Sequence, residues 1–278
     1  MIVNFVTSYD PTSFDFVFYG DSHAGYEGVP PNIPPSEEIH SQIIDRIFEI
    51  DPDLVFHTGD YVDHGCENAD HLGIHNDITE ELNNTYPYYL TTRNHDVCEE
   101  RFWYYVNYKD ALFVSLYVPL QYNEVSQERY DWLENILRNS DKRFKFVFFH
   151  NPSYSTGMRG PNINVRSLDP LFRNYNVDIV FNGHTHAYER FKTEGVNYVV
   201  TGGAGGVPHD LTGTDFKSIS SLIYSEETYN FVKVKINRDG LVLTAMKPDG
   251  TVIDEMNIIK PIKKRKPFLS MIMRPFGF

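Results

Sequence analysis

The sequence predicts a layered α/β fold, an αββα sandwich of two mixed β-sheets flanked by helices. Three observations predict it. Short apolar runs that read as buried strands alternate with amphipathic helical segments over the first two thirds of the chain. Strand-like runs separated by tight turns replace the helices after residue 195. A composition of 41% apolar residues, with 20 Phe and 19 Tyr among 278 residues, supplies a sizeable core.

Residues 14–19 read as a buried strand, and 36–50 as a helix with Ile39, Ile43, Ile44, Ile47 and Phe48 on one face. Ser36 is a plausible N-cap and Asp51-Pro52 ends the helix. With a strand at 54–57 this makes a βαβ unit, for which a right-handed crossover is expected. The Gly- and Pro-rich segment 25–35 is a loop. The pattern recurs with a short strand at 88–90, a helix at 126–139 carrying Trp132, Leu133, Ile136 and Leu137, and a strand at 144–149. A shorter helix near 168–175 and a strand at 177–181 follow. Strands at 198–201, 230–236, 241–246 and 252–258, with turn signals at 237–240 and 248–250, predict a second, more antiparallel sheet packed on the first. One domain over 1–260 is expected, followed by a basic tail, 261–278. The tail carries Lys263, Lys264, Arg265 and Lys266 and is read as a solvated terminus.

The formal charge of -13 argues against extended nucleic acid as a partner, because such binding needs clustered Lys and Arg to neutralise phosphates. A small substrate fits this balance better. No apolar run approaches the roughly 20 residues that span a bilayer, so no integral membrane segment is expected. Residues 1–6 lack the pattern of a secretory signal, which makes a cytoplasmic location the default expectation. Cys66 and Cys98 are too few for a disulfide framework and are read as free thiols.

Five stretches place candidate metal ligands just beyond apolar runs: Gly20-Asp21-Ser22-His23, Gly59-Asp60-Tyr61-Val62-Asp63, Asn94-His95-Asp96, His150-Asn151-Pro152 and Gly183-His184-Thr185-His186. In open α/β sheets the carboxyl ends of the strands share one edge, where motifs distant in sequence converge. Oxygen and imidazole donors without thiolate suit zinc, manganese or iron, and a metal pair suits displacement at phosphorus.

With these residues in view, the chain resembles the calcineurin-like metallophosphoesterases, and within them the purple acid phosphatase-like branch, from about residue 14 to 258. The most telling segment is Asn182-Gly183-His184-Thr185-His186-Ala187-Tyr188-Glu189-Arg190. It is supported by His150-Asn151-Pro152-Ser153-Tyr154-Ser155, by the run 198–206 ending in Gly202-Gly203-Ala204-Gly205-Gly206, and by the helix containing Tyr130-Asp131-Trp132-Leu133. The resemblance implies a dinuclear centre of two divalent or trivalent transition-metal ions (Fe, Zn or Mn). One ion is then held by Asp21, His23, Asp60 and His186, the other by Asp60, Asn94, His150 and His184, with Asp60 as the bridge. It further implies His95 beside the leaving oxygen, with Asp96 orienting its imidazole. Arg93, Arg190, Arg159 and Arg166 are candidate phosphate contacts.

Two positions depart from the family pattern. Asp63 stands where the purple enzymes carry an iron-binding tyrosine, so a colourless protein is expected. Arg93 replaces the glycine that usually precedes Asn-His, a position where a side chain strains the tight loop. Among the other histidines, His57 is read as a packed core residue, His40, His71, His75 and His209 as structural or solvent-facing, and His64 as lining the pocket. The implied function is a phosphoesterase, foremost a phosphomonoesterase, attacking phosphorus in line with a metal-bridging hydroxide. The alternatives are a phosphodiesterase, decided by the loops at 25–35, 65–84 and 156–165, and a catalytically weak metal-binding scaffold.

Overall fold

Phe14, Phe16 and Phe18 pack to one side of the first strand, β1 (Phe14–Tyr19), and Val17 and Tyr19 to the other, and all five are buried. A strand apolar on both faces needs cover on both, which places β1 inside a layered structure. The computed structural model describes residues 12–64, 68–91, 96, 103–118 and 125–262. After β1 come α1 (Ser36–Ile50), β2 (Leu54–His57), α2 (Ala69–Thr85) and β3 (Tyr88–Leu90). The hairpin of β4 (Tyr104–Tyr108) and β5 (Ala111–Ser115) leads to α3 (Gln127–Asn139) and β6 (Phe144–Phe148). A 3-10 turn (Ile163–Leu168), α4 (Asp169–Asn174) and β7 (Ile179–Asn182) follow. The remaining elements are β8 (Tyr188–Thr193), β9 (Val196–Thr201), α5 (Phe216–Ser221), β10 (Leu222–Glu226), β11 (Phe231–Ile236), β12 (Gly240–Met246) and β13 (Val252–Ile259).

Two mixed sheets result, in strand order β13-β12-β11-β1-β2-β3 and β10-β8-β9-β7-β6-β5-β4. Phenylalanines from both meet between them: Phe18 stacks on Phe181 with ring centroids 4.0 Å apart, and Phe16 lies 5.0 Å from both Phe113 and Phe146. Offset and edge-on aromatic contacts of this kind add to the burial of apolar area. On the outer face of the first sheet, Val17 and Val55 pack against Ile39, Ile43 and Ile47 of α1 and Leu82 of α2. On the second, Val147 and Val180 pack against Leu133 and Leu137 of α3 and Leu171 of α4. The helix–sheet–sheet–helix order expected from the sequence is therefore observed.

Sheet membership differs from the expectation. The strands after residue 195 do not form a separate sheet: β11 pairs antiparallel with β1, whereas β9 lies parallel to β7 in the other sheet. These pairings join residues about 200 positions apart in the first case, as in Phe14 with Ile236, and no local pattern encodes them. Most of the expected loop 65–84 is instead α2, capped by the Asn68 side chain, which accepts from the Asp70 backbone N–H. Its buried face carries His71, His75 and Thr79 alongside Leu82, and this polar composition hides the helical period. The loop segment 65–67, both cysteines and the tail 263–278 lie outside the described residues.

Candidate metal centre

The loops after β1 and β2 run side by side beyond the sheet edge. Asp21 N–H donates to Gly59 O (3.0 Å), His23 N–H to Asp60 O (3.1 Å) and Ala24 N–H to Tyr61 O (3.0 Å), so the parallel pairing of the strands continues into the loops. Asp96 adds a clamp. Its Oδ2 accepts from Asp60 N–H (3.0 Å) and its Oδ1 from Tyr61 N–H (2.8 Å), so this carboxylate fixes the backbone of the second loop. The third contribution comes from β6 through His150, the fourth from β7 through His184 and His186. The His184 backbone N–H donates to both oxygens of Asp21, at 3.0 and 2.9 Å, tying the β7 loop to the β1 loop.

Six of the seven expected ligands come together in two groups, Asp21–His23–His186 and Asp60–His150–His184, with the ligand atoms of each group within 4.8 Å of one another. The groups adjoin: Asp60 Oδ2 lies 3.2 Å from His150 Nε2 and 3.9 Å from His23 Nε2, and Asp21 Oδ1 is 3.6 Å from His186 Nε2 and 3.8 Å from His150 Nε2. Asn94, His95 and Arg93 lie outside the described residues.

The donor chemistry fits cations. His150 Nδ1–H donates to Thr58 O (3.0 Å) and His186 Nδ1–H to Val207 O (2.8 Å), which leaves each Nε2 lone pair facing the carboxylates. Burial, and after it His23 and His209, hold the His186 imidazole well below its ordinary pKa, in the neutral form that ligates. Both His23 Nε2 and His186 Nε2 are buried without a hydrogen-bond partner. Orphaned imidazole nitrogens aimed at carboxylates are costly unless a cation lies between them.

Glycine packing closes the site from behind. A Cβ on Gly183 would sit 2.3 Å from Asp21 Oδ2, and one on Gly206 would sit 2.4 Å from the His186 ring, which accounts for two of the glycines in the motif runs. His23 Nδ1 faces Asp63 Oδ1 at 3.4 Å, so Asp63 stands behind a candidate ligand. Tyr61, by contrast, packs its ring 4.8 Å from His75.

Of the candidate arginines, Arg190 is held by β13: its Nε donates to Asp254 Oδ2 (2.5 Å) and its Nη2 to Asp254 Oδ1 (2.9 Å). Its fork is already occupied by a carboxylate, so the placement corresponds to a structural ion pair and not to the expected phosphate contact. Tyr188 and Glu189 of the same segment are structural too. Tyr188 Oη donates to Asp254, while Glu189 accepts from Ser155 Oγ and from Thr156 N–H and Oγ1, each at 2.6 Å. Arg166 is committed to Asp215. Arg159 is exposed, and shares with Asn151, Ile163 and His184 the lining of a cleft of about 300 Å³.

Sequence reasoning missed His209, whose ring stacks on His186 at 3.9 Å and 14°. Its Nδ1 accepts from the His186 backbone N–H (3.2 Å) and its backbone N–H donates to His186 O (3.0 Å). The only local signal is its position just after the glycine run, which reads equally well as a turn.

Residues 14–188 match the calcineurin-like phosphoesterase family, and the chain belongs to it. Within that family it is similar to purple acid phosphatases. It is 30% identical over 128 residues to a purple acid phosphatase of Glycine max, a match covering 41% of this chain and 27% of that one. It is 29% identical over 198 residues to the probable inactive purple acid phosphatase 27 of Arabidopsis thaliana, covering 58% of this chain and 31% of that one. The solved purple acid phosphatase from yellow lupin (Lupinus luteus) seeds shares the fold, with a TM-score of 0.72 at 23% identity over 90% of this chain and 54% of the lupin chain. The chain thus spans about half the length of that structure and under a third of these two curated relatives.

Proposed function

We propose that the chain is a metal-dependent phosphoesterase that hydrolyses small phosphomonoesters at the Asp21–His186 centre. The observation that carries this reading is the convergence of six oxygen and imidazole donors, with Asp60 Oδ2 placed between the two groups. A bound pair of transition-metal ions supplies Lewis acidity toward phosphoryl oxygens and lowers the pKa of water enough to provide a nucleophile near neutral pH. Asp21, His23 and His186 would hold one ion, and Asp60, His150 and His184 the other, with Asp60 as the bridging carboxylate and Asn94 completing the second set. Asp96 keeps the bridging carboxylate in place through the backbone of its loop. His95 protonates the leaving oxygen. In the cleft beside His184, Arg159 offers a guanidinium to the phosphate, which favours the doubly charged monoester over a singly charged diester.

Metal-stripped protein refilled separately with zinc, manganese or iron and assayed on an aryl phosphate monoester and its diester tests the proposal. The expected result is turnover only with metal and a kcat/KM at least about tenfold higher for the monoester, the scale of one favourable charge contact. Two bound ions without turnover on either substrate overturn the enzyme reading in favour of a metal-binding scaffold. A reversed preference makes the chain a diesterase. Iron-loaded protein is expected to be colourless, because Asp63 stands where a tyrosinate would colour the ion.

A further inference from the structure

His57 closes β2 and is completely buried, away from the cleft, yet its two ring nitrogens reach both ligand loops. Nδ1 accepts from the Gly59 backbone N–H at 3.1 Å. Nε2 lies 3.2 Å from Ser22 Oγ. The Ser22 hydroxyl donates its one hydrogen to Tyr61 O (3.1 Å), so the imidazole supplies the hydrogen in the His57–Ser22 bond. One ring therefore joins the residue between Asp21 and His23 to the residue that precedes Asp60.

Those loops hold their ligands in an unfavourable backbone conformation. Asp21 (φ 58), His23 (φ 46) and Asp60 (φ 54) are left-handed although none is glycine, and Gly59 beside them has φ 94. The backbone bonds between the loops use Gly59 O, Asp60 O and Tyr61 O, whereas the N–H of Gly59 is taken up by His57. Residues held in sparsely populated conformations persist only where their surroundings over-determine them. We infer that His57 is a positioning residue of the metal centre: a neutral imidazole strut that holds the Asp21–His23 and Gly59–Asp60 turns in their ligating conformation, beyond any packing role. This rests on the metal-centre reading above.

Calorimetric titration of Mn²⁺ into metal-stripped protein, paired with melting of the same metal-free samples, tests the strut without recourse to turnover. His57→Leu, which keeps the bulk and loses both bonds, is expected to weaken Mn²⁺ binding at least tenfold, the range seen when groups supporting metal ligands are removed. His57→Asn keeps an oxygen for the Gly59 N–H and is expected to regain part of that loss. Val55→Ala, on the same strand and equally buried, is the packing control, expected to lower the metal-free melting temperature with unchanged Mn²⁺ affinity. Ser22→Ala removes the Nε2 arm together with the Ser22–Tyr61 bond while leaving the Gly59 arm intact, and is expected to weaken binding several-fold, which keeps the test open if His57→Leu does not fold. Native affinity in His57→Leu, or a loss no larger than in Val55→Ala, overturns the inference, as does native affinity in Ser22→Ala should His57→Leu fail to fold. Failure of the native protein to bind Mn²⁺, Zn²⁺ or Fe²⁺ overturns the metal-centre reading itself.

Discussion

Asp21, His23, Asp60 and His184 share a left-handed backbone that costs an ordinary L-residue about 1 kcal/mol or more. Asp and His tolerate it better than branched residues, so the chemistry of the ligands and the shape of the turns suit one another. Asp60→Asn keeps that tolerance while removing the charge between the two groups. The expected outcome is loss of at least one ion per chain by elemental analysis and a fall in turnover of at least about 100-fold. Retention of both ions would remove Asp60 from the bridging position. Arg190 makes the opposite case, a signature residue placed on structure. Its side chain and that of Asp254 are 13% and 8% exposed, so Arg190→Ala leaves a buried carboxylate short of its partner and is expected to cost about 3 kcal/mol in urea denaturation. The KM of the folded fraction should not move. A large rise in KM with unchanged stability would return Arg190 to the substrate.

α2 sets a pH limit on the fold. His75, on its buried face, lies 5.5 Å ring to ring from His40 of α1 and 6.1 Å from His57 of β2. Burial holds all three below the ordinary histidine value, His75 at about 4 and the others well down. Unfolded, each titrates near about 6.5. Because the folded pKa is the lower one, their contribution to stability is complete above about pH 6.5 and is lost as pH falls toward 4, where protonation favours the unfolded chain. His75 alone is expected to cost about 2 kcal/mol between pH 6.5 and 5. Urea midpoints of metal-free protein across that window should fall steeply, and less steeply in His75→Phe. Equal slopes in both proteins would exclude His75 as a source. His75, with His71 and Thr79 on the same inward face, is the reason α2 was illegible in sequence: polar residues there erase the apolar period that made α1 and α3 plain.

Between the two sheets the phenylalanines of β1, β2, β5, β6 and β7 form one continuous layer, so the sheets are expected to unfold together. Phe146, 5.0 Å from Phe16 and 5.1 Å from Phe113, bridges them, and Phe146→Ala is expected to cost about 3–5 kcal/mol in a single cooperative transition. Two separate transitions would mean that the sheets are independent units. Metal adds to this stability by mass action. Saturating ions at about a thousandfold over their Kd contribute about 4 kcal/mol, so chelation should lower the melting temperature of the native protein.

By itself the sequence determined the layered class, the strands and helices with a clear apolar period, the six candidate ligands that the fold brings together and the absence of the tyrosine at Asp63. Each follows from short-range pattern or from residue chemistry next to a strand end. Only the tertiary structure decided that β11 pairs with β1 and β9 with β7, that Arg190 faces Asp254, that His209 stacks on His186, and that His57 spans two ligand loops. These contacts join residues from 2 to more than 200 positions apart, and His57 shows that even a near neighbour is not legible alone. Its bond to Gly59 acquires meaning only once Ser22, 35 positions earlier, is folded against the other nitrogen.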